Sequence, residues 1–543
     1  MVDKSAIKRI LGELPLTAEV YWLMRQSGKP VRRNISLHKL EKHLPQLKSQ
    51  ALAALKEPRG QKTVNLRRIL VFATLRYWIE HATLLSIALA GQGHTVTLGY
   101  LPYVNWRRPM NRFDLRRQDI YLHSILEQAE PLIQVLSFFD KNSTTELHPS
   151  LRHELAEVSL RDTQYTLQIE EINHLKEDPT VSRLHNLRIK RNEEAAAAVI
   201  SWFYSMPTGQ RPEVIIIPNG SILEMGAVYQ AARYLNIPVV TYEFGEQRER
   251  IWFTQNGEVM QQDTTEMWQN RQTRPLNPQQ WEQIQSLYTS RQNASLWKNF
   301  SRLWQEQPSQ GGEQLRKTLQ LDQRPVVLLA ANVIGDSLTL GRQIFSQNMT
   351  DWLQKSTQYF AKRQDVQLIV RIHPGERYTT GPSVAQIVRQ TLPEVPSHIR
   401  LVDALDPVNT YDLIELADLG LVYTTTVGME MAMSGVPVVV AGRTHYRGKG
   451  FTLDPDSWEE YIALLDKKLS EQNQQPISRE LVERAWQYAY YFFFEYPSPF
   501  PWHLKDAWKM LETWSMEKVL SADGQAIFGE TFRSLAGEPR QWN

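Results

Sequence analysis

"LGLVYTTTVGMEMAMSGVPVVVAG" occupies residues 419–442. It reads as a buried strand, a turn of three threonines, a short helix of small residues, and a second buried strand. Continuous apolar runs such as "LGLVY" and "VPVVVAG" suit strands covered on both faces, and such strands form parallel sheets joined by helical crossovers. The hydroxyls of Thr424, Thr425 and Thr426 then fall at the carboxyl edge of a sheet, beside unpaired N–H groups of a helix N-terminus. That end favours anions, phosphate above all. Gly428 lets a ligand approach the backbone. Glu430, in the first helical turn, can accept two hydroxyls, as from a ribose. A plainer reading of the same residues is a Thr N-cap with a favourable first-turn carboxylate.

The pattern repeats outward from this stretch. "RPVVLLAANV" (324–333), "VQLIVRIHPGE" (366–376) and "HIRLVDA" (398–404) are further strands, with helices around 348–363 and in "TYDLIELAD" (410–418). The first half holds two similar units. One runs from "RRILVFAT" (67–74) through a helix to "HTVTLGYL" (94–101). The other runs from "EVIIIPNG" (213–220) to "IPVVTYEFG" (237–245). Residues 106–200 read as mostly helical, and a Gln-rich stretch at 255–322, with "PSQGGEQ" as linker, separates the halves.

The expected class is therefore α/β, with two Rossmann-like doubly wound domains facing a cleft and helical extensions at both ends. The expected divisions are a helical extension at 1–65, Rossmann-like domains at 66–310 and 311–475, and helices at 476–543 packing across the domains. The last segment includes "YAYYFFFEYPSPFPW" (488–502), dense in aromatics, which stack on sugars or pack as core.

A chain of 543 residues has room for two or three domains. It has no cysteine, which excludes disulfides and thiolate metal sites and fits a reducing compartment. "MVDKSAIKRILGELPLTAEVYWLM" lacks the apolar core of a signal peptide, and no run of about 18 apolar residues occurs. Net charge is +2, but residues 1–120 carry 21 Lys+Arg against 8 Asp+Glu, and the rest 40 against 51. The excess suggests an anionic surface or polymer as a partner of the N-terminal region. No GxxxxGK[ST], HExxH or Cys/His cluster is present, so neither a P-loop nor a dedicated metal is expected. Nothing points to nucleic acid.

Other segments carry candidate chemistry. In "VRIHPGE" a strand delivers His373 to the sheet edge and Pro374 ends it, with Arg371 on the same face. An imidazole there can donate to a phosphate and stabilise it as a leaving group. "AANVIGDSL" (330–338) places Asn332 and Asp336 at the same edge, with Asp336 a possible cap for the next helix. "GRTHYRGKGFTLDP" (442–455) reads as a flexible cationic loop able to close over a phosphate. In the first half, "RYWIEH" offers Glu80 or His81 as a general base, and "YEFGEQRER" offers Glu243 and Glu246 as second choice.

In this order, "NVIGD", "VRIHPGE", "TYDLIELADLGLVYTTTVGMEMAMSGVPVVVAG" and "THYRGKGFTLDP" resemble the C-terminal half of bacterial capsule polysaccharide biosynthesis proteins. That group is similar to the Kdo transferases of capsule assembly and, more distantly, to bacterial sialyltransferases of the GT-B fold. The resemblance covers residues 325–460. It implies a GT-B-like fold, with 66–310 as the acceptor domain and 311–475 as the nucleotide-sugar domain. It also implies inverting, metal-independent transfer from a nucleotide-activated sugar, a CMP-sugar favoured, with no cofactor. His373 and Pro374 would contact the donor phosphate, Thr424–Thr426 would lie near it, and Glu430 would hold the ribose. Tyr446 and Lys449 would belong to the substrate-binding loop. The implied acceptor is a capsular or other cell-surface polysaccharide or a glycolipid. The implied location is cytoplasmic, with peripheral contact to the inner membrane face. A nucleotide-sugar 2-epimerase, a CDP-polyol phosphotransferase and a non-catalytic assembly scaffold are the alternatives.

Overall fold

The first buried run, Arg68–Thr74, is strand β1 of a computed structural model. The structure describes residues 4–25, 36–56, 65–140, 146–172, 177–303, 305–470 and 476–542. Strands β2 (Thr95–Leu101), β3 (Gln134–Ser137), β4 (Val214–Pro218), β5 (Val239–Glu243) and β6 (Arg250–Gln255) follow in the first unit. The second unit holds β7 (Val326–Ala330), β8 (Gln367–Arg371), β9 (Ile399–Val402), β10 (Leu419–Val422) and β11 (Val438–Val440). A short β12 (Ser498–Pro499) returns to the first sheet, antiparallel to β6.

The sheet orders are β12-β6-β5-β4-β1-β2-β3 and β11-β10-β7-β8-β9. Apart from the antiparallel edge made by β6 and β12, every pairing is parallel. Both orders contain the doubly wound sequence in which the first strand is central and the chain reverses direction between its first and fourth strands. The reversal falls between β1 and β4 in the first unit, and between β7 and β10 in the second. The chain is thus an α/β protein of two Rossmann-like units, the make-up expected of a GT-B-like fold. Each sheet is buried on both faces, which is why β4 and β7 are apolar throughout and β8 is apolar between Gln367 and Arg371.

The division of the chain differs from the sequence reading. One unit comprises 1–163, 177–260 and 498–541; the other comprises 164–176, 261–497 and 542–543. The Gln-rich stretch is not a separator. It forms helices Thr265–Arg271 and Pro278–Gln292 of the second unit, the latter started by a capping box between Asn277 and Gln280. "PSQGGEQ" is a docked turn rather than a linker. The Asp412 carboxylate accepts from the Ser309 hydroxyl and from the N–H groups of Gln310 and Gly311. The aromatic segment also divides. Helix Arg479–Phe494 belongs to the second unit, and the chain from Ser498 to the first.

Two strands escaped the sequence reading. β3 lies in the stretch expected to be helical; it is four residues long and only partly buried, so it carries no apolar run. β6 alternates buried and half-buried residues, the mark of an antiparallel edge. In the N-terminal region, helices Lys4–Glu13, Thr17–Arg25 and His38–Ala54 form as expected. Parts of that extension, 26–35 and 57–64, lie outside the described residues. Some of the basic excess is matched internally: Lys8 pairs with Asp114, Arg112 with Glu13, and Arg116 with Glu19.

Candidate functional site

The carboxyl ends of β7 and β10 meet at the switch point of the second sheet, the crevice where open α/β sheets bind ligands. Asn332 follows β7 and Thr424 follows β10. The Asn332 Oδ1 accepts the N–H of Thr424 at 3.1 Å. That bond ties the two loops together and leaves the Thr424 hydroxyl buried without a partner. Such a group costs free energy unless something binds it. The Thr425 Oγ1 accepts weakly from the N–H of Val427, at 3.4 Å.

The plain cap reading of these threonines fails. Thr426 holds the N-cap position in helical geometry, and its side chain makes no cap bond. The helix that follows, Val427–Met433, has seven residues, too short for its dipole to be the main attraction. Gly428 has a structural cause. A Cβ there would lie 2.4 Å from the Tyr446 hydroxyl and 2.8 Å from a methyl of Val422. The Tyr446 hydroxyl donates to the Thr425 carbonyl at 2.6 Å, so the close approach is made by the protein's own ring.

Glu430 is also engaged within the unit. Its Oε1 accepts from Arg291 Nη1 at 2.5 Å and from the Tyr411 hydroxyl at 3.1 Å, all three groups being buried. A ribose there would have to share an oxygen already held by a guanidinium. Arg371 is likewise withdrawn from phosphate. Its guanidinium is buried and donates to the carbonyls of Asp403 (2.7 Å) and Val408 (3.2 Å). Burial lowers its pKa to about 10.

His373 leaves the end of β8 and caps a 3-10 turn, Pro374–Tyr378, with Pro374 in the first position as its fixed φ allows. The ring Nδ1 accepts the Gly375 N–H at 3.0 Å. Burial presses its pKa down to about 4, with Arg302 and Arg371 adding to the effect and Asp336 opposing it. The ring is therefore neutral at pH 7, and with Nδ1 accepting, its proton is on Nε2. An Nε2–H is a hydrogen-bond donor suited to a phosphate oxygen. Asp336 caps no helix, because turns fill the chain from 334 until Met349; its Oδ1 accepts from the Ser337 hydroxyl at 3.1 Å.

The sequence reading passed over Glu376, one turn beyond His373. Burial pushes its carboxyl up to about 7. Oε1 accepts the N–H of Val384 at 2.8 Å, while Oε2 is buried with no partner. The signal was present in "HPGE" but lacked any spacing rule to single it out.

The glycine-rich loop at 442–455 is pinned along its length. Arg447 donates to the carbonyls of Val440, Asp454 and Pro455. His445 stacks on Phe492 with centroids 3.8 Å apart and shares a 2.9 Å bond with the Tyr488 hydroxyl. Lys449 is buried, with Nζ 3.5 Å from Thr265 Oγ1, and burial lowers its pKa.

At the switch point of the first sheet the two expected bases have different surroundings. His81 is a core residue. Nε2 donates to the Trp502 carbonyl (3.1 Å), Nδ1 faces the Tyr242 hydroxyl (3.3 Å), and burial drops its pKa to about 3. With both nitrogens occupied among Trp78, Phe244 and Phe500, it cannot serve as the base. The Glu80 carboxylate lies 3.6 Å from Arg76, buried, with its pKa raised by that burial. Glu243, the second choice, ends β5 and is raised by burial. Its Oε2 accepts from Asn219 Nδ2 at 3.0 Å and its Oε1 from the Phe244 N–H at 3.0 Å. Asn219 and Gly220, both at positive φ, turn the chain after β4. Next to them the Ser221 hydroxyl is buried and unpaired.

Among the described residues no helix is long and apolar enough to cross a membrane. Residues 249–487 match the family model described as capsule polysaccharide biosynthesis protein. No curated protein matches the chain. Among solved structures it is similar to two parts of KpsC from Thermosulfurimonas dismutans. The β-Kdo 2,4 transferase is 16% identical over 52% of this chain and 80% of that one, with a TM-score of 0.32. The β-Kdo 2,7 transferase is 15% identical over 55% and 85%, with a TM-score of 0.31. A UDP-GlcNAc 2-epimerase from Neisseria meningitidis, bound to UDP-GlcNAc, is 11% identical over 82% and 98%, with a TM-score of 0.24. The family match thus runs from β6 through most of helix Arg479–Phe494 and covers less than half of the chain.

Proposed function

We propose that the protein is a glycosyltransferase of capsule or other cell-surface polysaccharide assembly, taking its sugar from a nucleotide-activated donor, a CMP-sugar by preference. The observation that carries the reading is the switch-point cluster of the second unit. There the Asn332–Thr424 clasp leaves the Thr424 hydroxyl unpaired. The end of β8, two strands away and so about 10 Å distant, presents a neutral His373 with its proton on Nε2. A phosphate-bearing ligand lying across the end of β7 can meet both groups. The family match over this unit supports the same chemistry.

The reaction is a direct displacement with inversion. An acceptor hydroxyl oxygen bonds to the anomeric carbon while that carbon's bond to the phosphate oxygen breaks, and the nucleotide leaves with the electron pair. The His373 Nε2–H and the Thr424 hydroxyl donate to phosphate oxygens and stabilise the charge that gathers there. A carboxylate base takes the acceptor's proton, with Glu243 and Glu80 the candidates. In this reading the step needs no metal. The acceptor, a polysaccharide or glycolipid, is ascribed to the more basic first unit, which would also make any peripheral contact with the inner membrane face.

Thermal-shift binding of CMP, CDP, UDP and GDP tests the site in the wild type, His373→Ala and Thr424→Val. Valine removes only the unpaired hydroxyl. One nucleotide should raise the wild-type Tm and lose that effect in both variants. A folded wild type that none of the four stabilises would sink the transferase reading and leave a scaffold. Product analysis separates the other enzymes: an epimerase releases a rearranged sugar with no acceptor present, and a CDP-polyol phosphotransferase given acceptor moves phosphate into the product and leaves CMP.

A further inference from the structure

The amino edge of the second sheet, opposite the edge just described, encloses a cavity of about 420 Å³. Asp418, immediately before β10, and Pro437, immediately before β11, help to form its floor. Thr424 lies beyond the other end of β10. Six residues of extended chain, about 20 Å, separate Asp418 from Thr424. The cavity is therefore not part of the switch-point cluster.

Its wall is built on three aromatic rings, Tyr288, Tyr411 and Trp486. Tyr288 stands edge-on to Tyr411, centroids 5.0 Å apart at 80°, and tilted to Trp486 at 5.2 Å and 58°. The polar ends of the rings are anchored. The Tyr288 and Ser434 hydroxyls are 2.6 Å apart, Tyr411 donates to Glu430, and the Trp486 indole donates to the Met433 carbonyl at 2.8 Å. The rings are thus oriented before any ligand arrives, which lowers the ordering cost of binding.

Among the described residues the charged side chains on the wall are both acidic, Glu415 and Asp418, and neither Lys nor Arg lines it. Each carboxylate is held by a backbone N–H, Glu415 by Gly312 and Asp418 by Val326. This chemistry disfavours a phosphate or a carboxylate. It suits a ligand with an apolar face to lie on the rings and hydroxyl donors to reach the carboxylates. A neutral sugar ring has both. The volume lies within the roughly 300–1,000 Å³ of small-molecule sites, enough for a sugar or a short saccharide.

We propose that this cavity is a carbohydrate-binding subsite for a neutral saccharide. The sugar stacks on Trp486 and Tyr288, and its hydroxyls donate to Glu415 and Asp418. The proposal does not depend on the transferase reading and would stand if the protein transferred nothing.

Saturation-transfer NMR on the full chain, with glucose, galactose, N-acetylglucosamine and maltotriose against choline and spermidine, tests it. At least one neutral saccharide should bind saturably with a millimolar or tighter Kd. Trp486→Leu should weaken it about tenfold, a difference of about 1.4 kcal/mol. Nucleotide-induced shifts in Tm should be the same in this variant as in the wild type, which separates this site from the His373 edge. Should Trp486→Leu fail to fold, Glu415→Gln, which can still accept from Gly312, must show the same direction of loss. Binding of choline or spermidine alone overturns the proposal in favour of an organic cation. So does an absence of saccharide binding, or binding that the substitutions leave unchanged.

Discussion

The two sheets share a strand order, and each brings two strand ends together at a switch point, yet the two edges are finished differently. In the first unit the turn after β4 is backed by a buried ionic network, with the Ser221 hydroxyl and Arg188 Nη1 left unpaired. Arg188 donates to Asp162 (3.3 Å) and Glu224 (3.0 Å), Asn192 donates to Asp162, and the N–H of Leu223 donates to the other Asp162 oxygen. Beside it, Glu243 is held by Asn219 and His81 by Tyr242 and Trp502. In the second unit the switch-point turn is held by neutral bonds, Asn332 Oδ1 to the Thr424 N–H and the Tyr446 hydroxyl to the Thr425 carbonyl, and leaves the Thr424 hydroxyl unpaired. Topology decides where a site can form. Which polar groups are left unsatisfied decides what that edge has to offer a ligand.

The strongest way to break this contrast is to open the ionic network. Arg188, Asp162 and Glu224 are fully or almost fully buried. Arg188→Met fits a similar volume but leaves two carboxylates facing each other without their cation. Removing one partner of a buried ionic group costs about 3–5 kcal/mol. Urea unfolding should show the first unit losing that much while the second keeps its midpoint. A loss below about 1 kcal/mol would mean that water already enters the network and that the two edges are not different in kind.

Acid sharpens the comparison with a smaller effect. His81 in the first unit titrates near 3; His373 and His445 in the second titrate near 4 and 3, all lowered chiefly by burial. An unfolded histidine titrates near 6.5. Below that pH the unfolded chain takes up protons that the folded one refuses, so stability present above pH 6.5 is lost as pH falls toward 4. Each histidine should contribute up to about 2 kcal/mol of loss by pH 5. The first unit also holds His503, whose pKa burial lowers, so calorimetry from pH 7 to 5 should move the transitions of both units down. A transition that stays in place would indicate that the histidines of that unit are more hydrated than their packing implies.

Much of the fold was legible because parallel strands buried on both faces leave unbroken apolar runs. β1, β4, β7, β8 and β10 all announce themselves this way, and their order implies crossovers. β3 and β6 were not legible, since partly buried edge strands have no such run. For the site, the sequence placed Thr424, Asn332 and His373 at one sheet edge, and the structure joins the first two and orients the third. It misjudged residues whose partners are distant in sequence. Nothing near Glu430 predicts Arg291, 139 positions away, and nothing near His81 predicts Trp502, 421 positions away. Arg371 reads as a phosphate ligand by its spacing from His373. Its true partners are backbone carbonyls, which no side-chain pattern reveals.

Glu376 gives the finest test of the open edge. Burial lifts its carboxyl to about 7, and Oε2 has no partner. A carboxyl whose pKa is raised on folding helps stability while it is protonated, below its unfolded value near 4.3. That contribution is lost as pH rises through about 7. Glu376→Gln mimics the protonated form and can still accept from Val384. The variant should match the wild type near pH 5 and exceed it at pH 8.5, by about 1 kcal/mol once solvent screening is allowed for. If the advantage is the same at both pH values, the carboxyl does not titrate between them. If the wild type regains stability at high pH when the stabilising nucleotide is added, the unpaired oxygen faces the ligand. The open edge then extends one turn beyond His373.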